Sequence, residues 1–271
     1  HALRDAEAGK PIGHNVFMDA TASGLQIMAA LSGCKKTARA VNLVNTGKRE
    51  DVYVWVAGLM NARLSVSQHV DRPDVKKPLM THYYNKSVQD TLSTPQQEAF
   101  YSVLQNSFPG AEGVKEIANH FWNPDALEHT FTLPDGHVAR ILVTEMQTAR
   151  IEVDELEHTK FAYRFEANRP STTGTSLVPN IIHAIDGYIV REMIRRAKVA
   201  GFELAHIFDA FTCHPNYMSQ AMQFYREILA EIADSNLLEN ILSEIAGYSV
   251  KVGKLSHDLG AEILKSEYAL S

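Results

Sequence analysis

Cysteine is nearly absent from this chain: Cys34 and Cys213 are the only two in 271 residues. That excludes a disulfide framework, and neither cysteine has a partner at the spacing of a zinc site. Long apolar runs are missing as well. No stretch reaches the roughly eighteen consecutive apolar residues of a membrane-crossing helix, so no membrane partner is expected. A secretory signal pattern is lacking, which makes a reducing cytoplasm the expected compartment. Positive charge is not in excess either. The balance of 26 Lys and Arg against 32 Asp and Glu leaves −6, which argues against a surface that grips nucleic acid all over.

What remains is a chain with 45% hydrophobic residues, enough to bury a substantial core in one large or two small domains. No internal repeat or low-complexity tract interrupts it. Its most informative feature is a pair of aspartates near opposite ends, each closing an apolar run. Asp19 ends Val16-Phe17-Met18, and Asp209 ends Leu204-Ala205-His206-Ile207-Phe208. A carboxylate at the end of a buried strand is costly unless something pairs with it, and hard divalent cations are a common partner. Two such ends on one sheet can hold a pair of magnesium ions for phosphoryl chemistry. The plain alternative is that both are helix N-caps.

The periodicity predicts a strand over 16–19 and a helix over 21–31 stopped by Gly33. Further helices are expected over 50–64 and 75–88, the latter containing Pro78, and from Thr94 as N-cap with Pro95 and Gln97 to about Gln105. A β-hairpin is expected around the turn Pro134-Asp135-Gly136, and strands over 149–153 and 160–166. A polar loop over 168–176 leads into a helix opened by Pro179 and stopped by Gly201. The Asp209 strand and two helices, over 215–233 and 237–246, complete the body. The aspartates thus sit in strand–helix units at either end, whose strands become neighbours if the long middle section is an insertion.

Between the aspartates lies a cationic segment. Residues 72–86 carry Arg72, Lys76, Lys77 and Lys86 against Asp74. Such a cluster is often no more than a solvated helix face. Here Arg72, Lys76 and Tyr84 recur at helical spacing, a row suited to a triphosphate: the Arg fork grips phosphate oxygens, Lys adds a point charge or a proton, and Tyr packs against a base.

The pattern Arg72-x3-Lys76-x7-Tyr84 between two strand-end aspartates resembles the signature of the phage-type single-subunit DNA-directed RNA polymerases, the class shared with mitochondria. The resemblance continues in order along the chain. It takes in Asp19-Ala20-Thr21-Ala22-Ser23-Gly24-Leu25-Gln26, Arg39 to Leu43, Asp51-Val52-Tyr53, Leu133 to Gly136, Pro179 to Gly187 with His183 and Asp186, and Phe208-Asp209-Ala210-Phe211. It implies an α/β right-hand architecture: palm over 1–40 and 183–271, and fingers over 41–182 with a β-rich insertion near 128–167. It also implies that Asp19 and Asp209 bind two Mg2+ ions with the Ala20 carbonyl as a further ligand. Arg72 would contact the ribonucleoside triphosphate and Lys76 would neutralise or protonate the leaving pyrophosphate. Tyr84 and His183 would test the nucleotide and its ribose, with Tyr53 behind Tyr84.

The related DNA polymerases place a glutamate five residues after the first aspartate, where it blocks a 2′-hydroxyl. Gly24 stands at that position here and favours ribonucleotides. A related DNA polymerase fragment and a non-catalytic polymerase-like accessory subunit are the competing readings. Three departures from the family pattern stand out: Phe208 and Ala210 flank Asp209 where His and Ser are usual, Asn85 replaces a glycine after the tyrosine, and Pro78 lies within the fingers helix. The resemblance further implies a DNA template and an RNA transcript as partners. The chain starts at His1, close to Asp19, so a second polypeptide or upstream segment is expected to carry the thumb and N-terminal regions, as in split, two-subunit phage members of the family. Its compartment would then be the cytoplasm of an infected host cell.

Overall fold

The computed structural model describes residues 2–85, 87–172, 174 and 176–271. His1, Lys86 of the cationic segment, and Thr173 and Thr175 of the polar loop lie outside the described residues. The first elements are α1 (Ala2–Glu7), β1 (Val16–Asp19), α2 (Ser23–Ser32) and α3 (Lys35–Ala40). Helix α2 begins two residues later than its periodicity suggests and ends at Gly33, whose φ of +66° is left-handed. An added Cβ there would meet the Ser256 carbonyl oxygen at 2.3 Å, so both the turn and the close approach require glycine.

Asp51 caps α4 (Val52–Asn61), and α5 (Arg72–His82) follows with Pro73 in its first turn and a capping box between Asp71 and Asp74. The helix therefore starts three residues before the expected Val75. Pro78 lies in its interior, buried, and leaves its first turn intact. Next come α6 (Thr94–Ser107), capped by Ser93 rather than Thr94, and α7 (Pro109–His120). In α7 the close packing onto the α2–α3 junction requires Gly110: a Cβ there would lie 2.2 Å from Cys34 Cβ.

Two antiparallel hairpins follow, β2 (Glu128–Thr132) with β3 (Val138–Leu142), and β4 (Thr144–Val153) with β5 (Thr159–Asn168). Helix α8 (Leu177–Ala200) returns the chain to β6 (Ala205–Ile207) and β7 (Ala210–Cys213). Helices α9 (Met218–Asp234), α10 (Leu237–Ala246) and α11 (Leu259–Ile263) complete the fold. The result mixes helix and sheet, as the α/β assignment requires. No helix among the described residues is long and apolar enough to cross a membrane.

The core is built around α2, whose residues Leu25 to Ser32 are all buried because α3, α7, α8 and α9 surround it. One polar side chain on it is fully satisfied. Gln26 donates to the Val41 and Ala269 carbonyls, both at 2.9 Å, and accepts from the Tyr225 hydroxyl at 2.7 Å. That network ties α2 to α9 and to the last residues of the chain.

The sheet that positions the aspartates has strand order β1-β7-β6, antiparallel throughout, with Asp19 opposite Ala210. The two aspartate-bearing segments are therefore neighbours, as expected; Asp19 sits in the strand–helix unit β1–α2, but Asp209 does not end a strand. Asp209 lies in the two-residue turn of the β6–β7 hairpin. Nor is β1 a buried strand: Met18 faces the core while Phe17 and Asp19 face outwards.

Candidate active site

The two aspartates are fastened to each other by backbone. The Ala20 N–H donates to the Asp209 carbonyl at 3.3 Å, and Asp19 exchanges hydrogen bonds with Ser271 at 3.2 and 3.0 Å. Asp19 is exposed and Asp209 half-buried. Burial pushes the Asp209 carboxyl above the usual range and the neighbouring Asp19 charge pushes it further, against the opposing pull of its own backbone N–H and the Ser23 hydroxyl. A third carboxylate joins them from α8. Asp186 is pushed up to about 6, by burial first and the Asp209 charge second, with Ser23 and His206 opposing. The Ser23 hydroxyl thus serves both Asp186 and Asp209. Among the described residues none of these three carboxylates makes an ion pair.

Opposite stands a cationic wall. Arg72 and Lys76 lie one turn apart on α5 and are exposed. The Arg72 Nε donates to Asp51 Oδ2 at 2.7 Å, while Asp51 Oδ1 accepts from the backbone N–H groups of Tyr53 and Val54. Burial alone would raise the Asp51 carboxyl, but the Arg72 guanidinium and the two N–H groups outweigh it and hold it below the ordinary value. The guanidinium lies 5.2 Å from the Tyr53 ring centre and the Lys76 ammonium 6.0 Å. Lys76 has no ion-pair partner among the described residues.

Tyr84 is not on the helix with them. Helix α5 ends at His82, and Tyr84 follows in a turn closed by Asn85, whose φ of +56° is left-handed. The asparagine thus does what glycine does at that position in the family pattern. Tyr84 still reaches the site, where its hydroxyl is raised by burial and then by Asp186 and Asp209. His183 is exposed and meets the Tyr84 ring edge-on, with centroids 5.1 Å apart. It touches the site only through Tyr84, because Ile182, not His183, lines the cleft.

Both walls face one cleft of about 580 Å³. Asp19, Ala20, Gly24, Tyr53, Arg72, Lys76, Tyr84 and Asp209 all line it. A Cβ on Gly24 would make ordinary contacts, 3.6 Å to Ile182 and 3.9 Å to the Tyr84 hydroxyl, so the fold does not demand glycine there. Its effect is to leave space beside Tyr84. The donor set fits a hard divalent cation: oxygens only, on adjacent carboxylates that lack a cationic partner and repel each other. A separate trio, Glu152, Asp154 and His158, brings ligand atoms within 4.8 Å of one another, but all three are exposed at the tip of the β4–β5 hairpin, away from this cleft.

A family profile described as DNA-dependent RNA polymerase matches residues 12–98, which include Asp19 and every cleft residue named above except Ile182 and Asp209. DNA-directed RNA polymerase 1B, mitochondrial, of Nicotiana tabacum is 25% identical over 275 residues, which is 84% of this chain and 27% of that protein. DNA-directed RNA polymerase 3B, chloroplastic, of the same plant is 25% identical over 89% of this chain and 29% of its own length. DNA-directed RNA polymerase 2A, also from Nicotiana tabacum, is 23% identical over 89% of this chain and 86% of its own. The chain is therefore similar to phage-type DNA-dependent RNA polymerases, by the profile over residues 12–98 and by relatives 23–25% identical over most of its length. It spans 27% of the length of the mitochondrial relative.

Two functional candidates in this site escape a reading by spacing. Asp51 is the acceptor that fixes Arg72, and its N-cap position ahead of an apolar helix is the only local sign of it. Asp186 adds its charge beside Asp209 from α8 without lining the cleft, and only its place in the Pro179 to Gly187 motif marks it.

Proposed function

We propose that this chain is the catalytic portion of a DNA-directed RNA polymerase that joins ribonucleoside triphosphates to a transcript 3′-hydroxyl on a DNA template. The observation that carries the reading is the cleft itself, with paired, repelling carboxylates on one wall and a free lysine and an arginine on the other. In this reading Asp19 and Asp209, with the Ala20 carbonyl, hold two Mg2+ ions. When bound, such a pair supplies positive charge at the attacking and leaving oxygens of an in-line displacement.

The chain's own groups do the rest. Arg72, aimed by Asp51, grips the triphosphate; the 3′-hydroxyl gives up its proton to water as its oxygen bonds the α-phosphorus, and Lys76 hands a proton to the pyrophosphate as its bond to that phosphorus breaks. Space at Gly24 admits the ribose 2′-hydroxyl. Tyr84 tests the nucleotide with Tyr53 behind it, and His183 braces Tyr84. Residues 1–40 and 183–271 form the palm, and 41–182 the fingers with the β-rich insertion near 128–167. A second polypeptide or further segment supplies the thumb and N-terminal regions.

The test is elongation of an RNA primer annealed to a DNA template, with ribo- and deoxyribonucleotides compared. The native polymerase should extend with ribonucleotides in the presence of Mg2+. Asp209→Asn should abolish extension while leaving DNA binding largely intact, and continued extension by that variant would sink the proposal.

A further inference from the structure

Arg49 is a cation of the cleft that the chemistry above does not use. It lines the cleft with Asp51, Tyr53, Arg72 and Lys76, and it is exposed. An exposed arginine in a loop is ordinarily a solvated charge that nearby acids balance. Here both acids that follow it in sequence are engaged elsewhere. Glu50 Oε1 lies 3.3 Å from the Lys48 ammonium, and Asp51 Oδ2 accepts from Arg72. Arg49 itself makes no ion pair among the described residues.

The backbone that carries Arg49 is fixed from both directions. Before it, Gly47 N–H donates to Asn45 Oδ1 at 2.8 Å and Thr46 Oγ1 donates to the Lys48 carbonyl at 3.1 Å. After it, Asn42 grips Glu50 through both ends of its amide. The Glu50 N–H donates to Asn42 Oδ1 at 2.8 Å, and Asn42 Nδ2 donates to the Glu50 carbonyl at 2.9 Å. Asn42 is buried, and the same Nδ2 donates to Thr21 Oγ1 at 3.0 Å, two residues beyond Asp19. The loop is thus registered against the segment that carries the first aspartate. Its place along the cationic wall follows from Asp51. Arg72 lies one turn before Lys76, about 6 Å farther along α5 from the end that leads to Tyr84. Because Asp51 holds Arg72, the Arg49 loop sits at the Arg72 end of the wall, away from Tyr84.

We propose that Arg49 is a specificity-determining residue that contacts the terminal phosphate of the ribonucleoside triphosphate, so that the cleft prefers a triphosphate to a diphosphate. The inference rests on the polymerase reading and deepens it. A triphosphate with its ribose beside Gly24 and Tyr84 and its α-phosphorus facing the aspartates runs along Lys76 and Arg72. Its last phosphate then reaches the end of the wall where Arg49 stands. Arginine suits that task, because its planar fork binds two oxygens of one phosphate and its charge does not depend on pH. The motifs that carry the family resemblance stop at Leu43 and resume at Asp51, so Arg49 is a feature of this chain and not of that pattern.

The experiment uses the complete native polymerase containing this chain, in Mg2+. Titration calorimetry measures binding of the α,β-methylene analogues of a ribonucleoside triphosphate and of the matching diphosphate, for wild type, Arg49→Ala and Arg49→Lys. Primed elongation is measured alongside. Arg49→Ala should weaken the triphosphate analogue about tenfold, the loss of one charge-assisted contact, and leave the diphosphate analogue within about twofold of wild type. That unchanged diphosphate affinity also certifies an intact cleft. Arg49→Lys, which keeps the charge and loses the fork, should recover part of the loss. In elongation the KM for ribonucleoside triphosphates should rise by the same factor in Arg49→Ala, with kcat nearly unchanged. Equal weakening of both analogues would mean that Arg49 supports the inner phosphates or the loop itself. Unchanged binding of both would mean that it is only a solvated charge. Either result overturns the inference. Wild type that binds the analogues but extends no primer would instead bring down the polymerase reading, while the two analogues would still report the preference set by Arg49.

Discussion

The two walls of the cleft carry opposite charge, and they are also at opposite degrees of rest. On the acidic side Asp186 and Asp209 are raised by burial first and then by a neighbouring charge, Asp209 for Asp186 and Asp19 for Asp209, and none of the three has an ion-pair partner among the described residues. On the cationic wall Arg72 is already matched with Asp51, which is held below its ordinary value. The first wall is organised at the expense of stability and gains when a cation arrives. The Arg72–Asp51 pair is balanced without any ligand, while Lys76 and Arg49, which also lines the cleft, make no ion pair among the described residues. Strain is concentrated where charge must be neutralised from outside, while the group that must be aimed is supported from within.

Among changes to the cationic wall, the largest effect should come from Lys76, which makes no ion pair among the described residues. Lys76→Met should lower kcat for primed elongation by about a hundredfold, the lower end of what a positioned proton donor contributes, with a smaller change in ribonucleotide KM. Lys76→Arg keeps the charge but cannot easily give up a proton. If Lys76→Arg turns over like wild type, Lys76 acts by charge alone and proton transfer drops out of the proposal.

The acidic wall can be broken by making it more stable. The Asp186 carboxyl in the folded chain sits at about 6, above its ordinary 3.8. The folded state therefore binds the proton more tightly than the unfolded chain. The sign follows: this contribution to stability is fully present below about pH 4 and is lost as pH rises through about 6. Without divalent ions the unfolding free energy should fall across that window. Asp186→Asn, which keeps the shape and removes the charge, should flatten the fall and be more stable above it by about 1–3 kcal/mol. Denaturant unfolding at a series of pH values reads this directly. A variant that is less stable at neutral pH would show that the three carboxylates do not strain one another.

How much of this was legible in the sequence depended on how local each cause is. Gly33 and Gly201 announce the ends of α2 and α8, and Leu237 to Ala246 forms a helix with the bounds its periodicity suggests. The cap of α6 is off by one because Ser93 and Thr94 offer equivalent hydroxyls. Helix α7 went unread because Pro109-Gly110 looks like a turn, whereas here Gly110 lets two helices touch. The β6–β7 hairpin had no turn signal at all, since its left-handed residue is Phe208, where glycine or asparagine would be expected. In the site, the residues that line the cleft were nameable from their motifs. The pairings that tune them, Arg72 with Asp51 and Ser23 with both Asp186 and Asp209, join separate elements, and no spacing reports such contacts.

The smallest expected effect probes the balance of the cationic wall, and it separates two jobs that Asp51 performs at once. One oxygen caps α4 through the Tyr53 and Val54 N–H groups, and the other receives Arg72. Asp51→Asn retains a capping oxygen but offers Arg72 no negative charge. Stability should therefore change by well under about 1 kcal/mol, because asparagine caps as well as aspartate and an exposed ion pair contributes little. The guanidinium, no longer aimed, should raise the KM for ribonucleotides by about three- to tenfold with kcat nearly unchanged, the pattern of a lost binding contact. Asp51→Ala removes both functions and should add about 0.5–2 kcal/mol of destabilisation to the same kinetic defect. If Asp51→Asn instead lowers the ribonucleotide KM, Asp51 competes with the triphosphate for Arg72. The cationic wall would then be held back at rest in the same way as the acidic one.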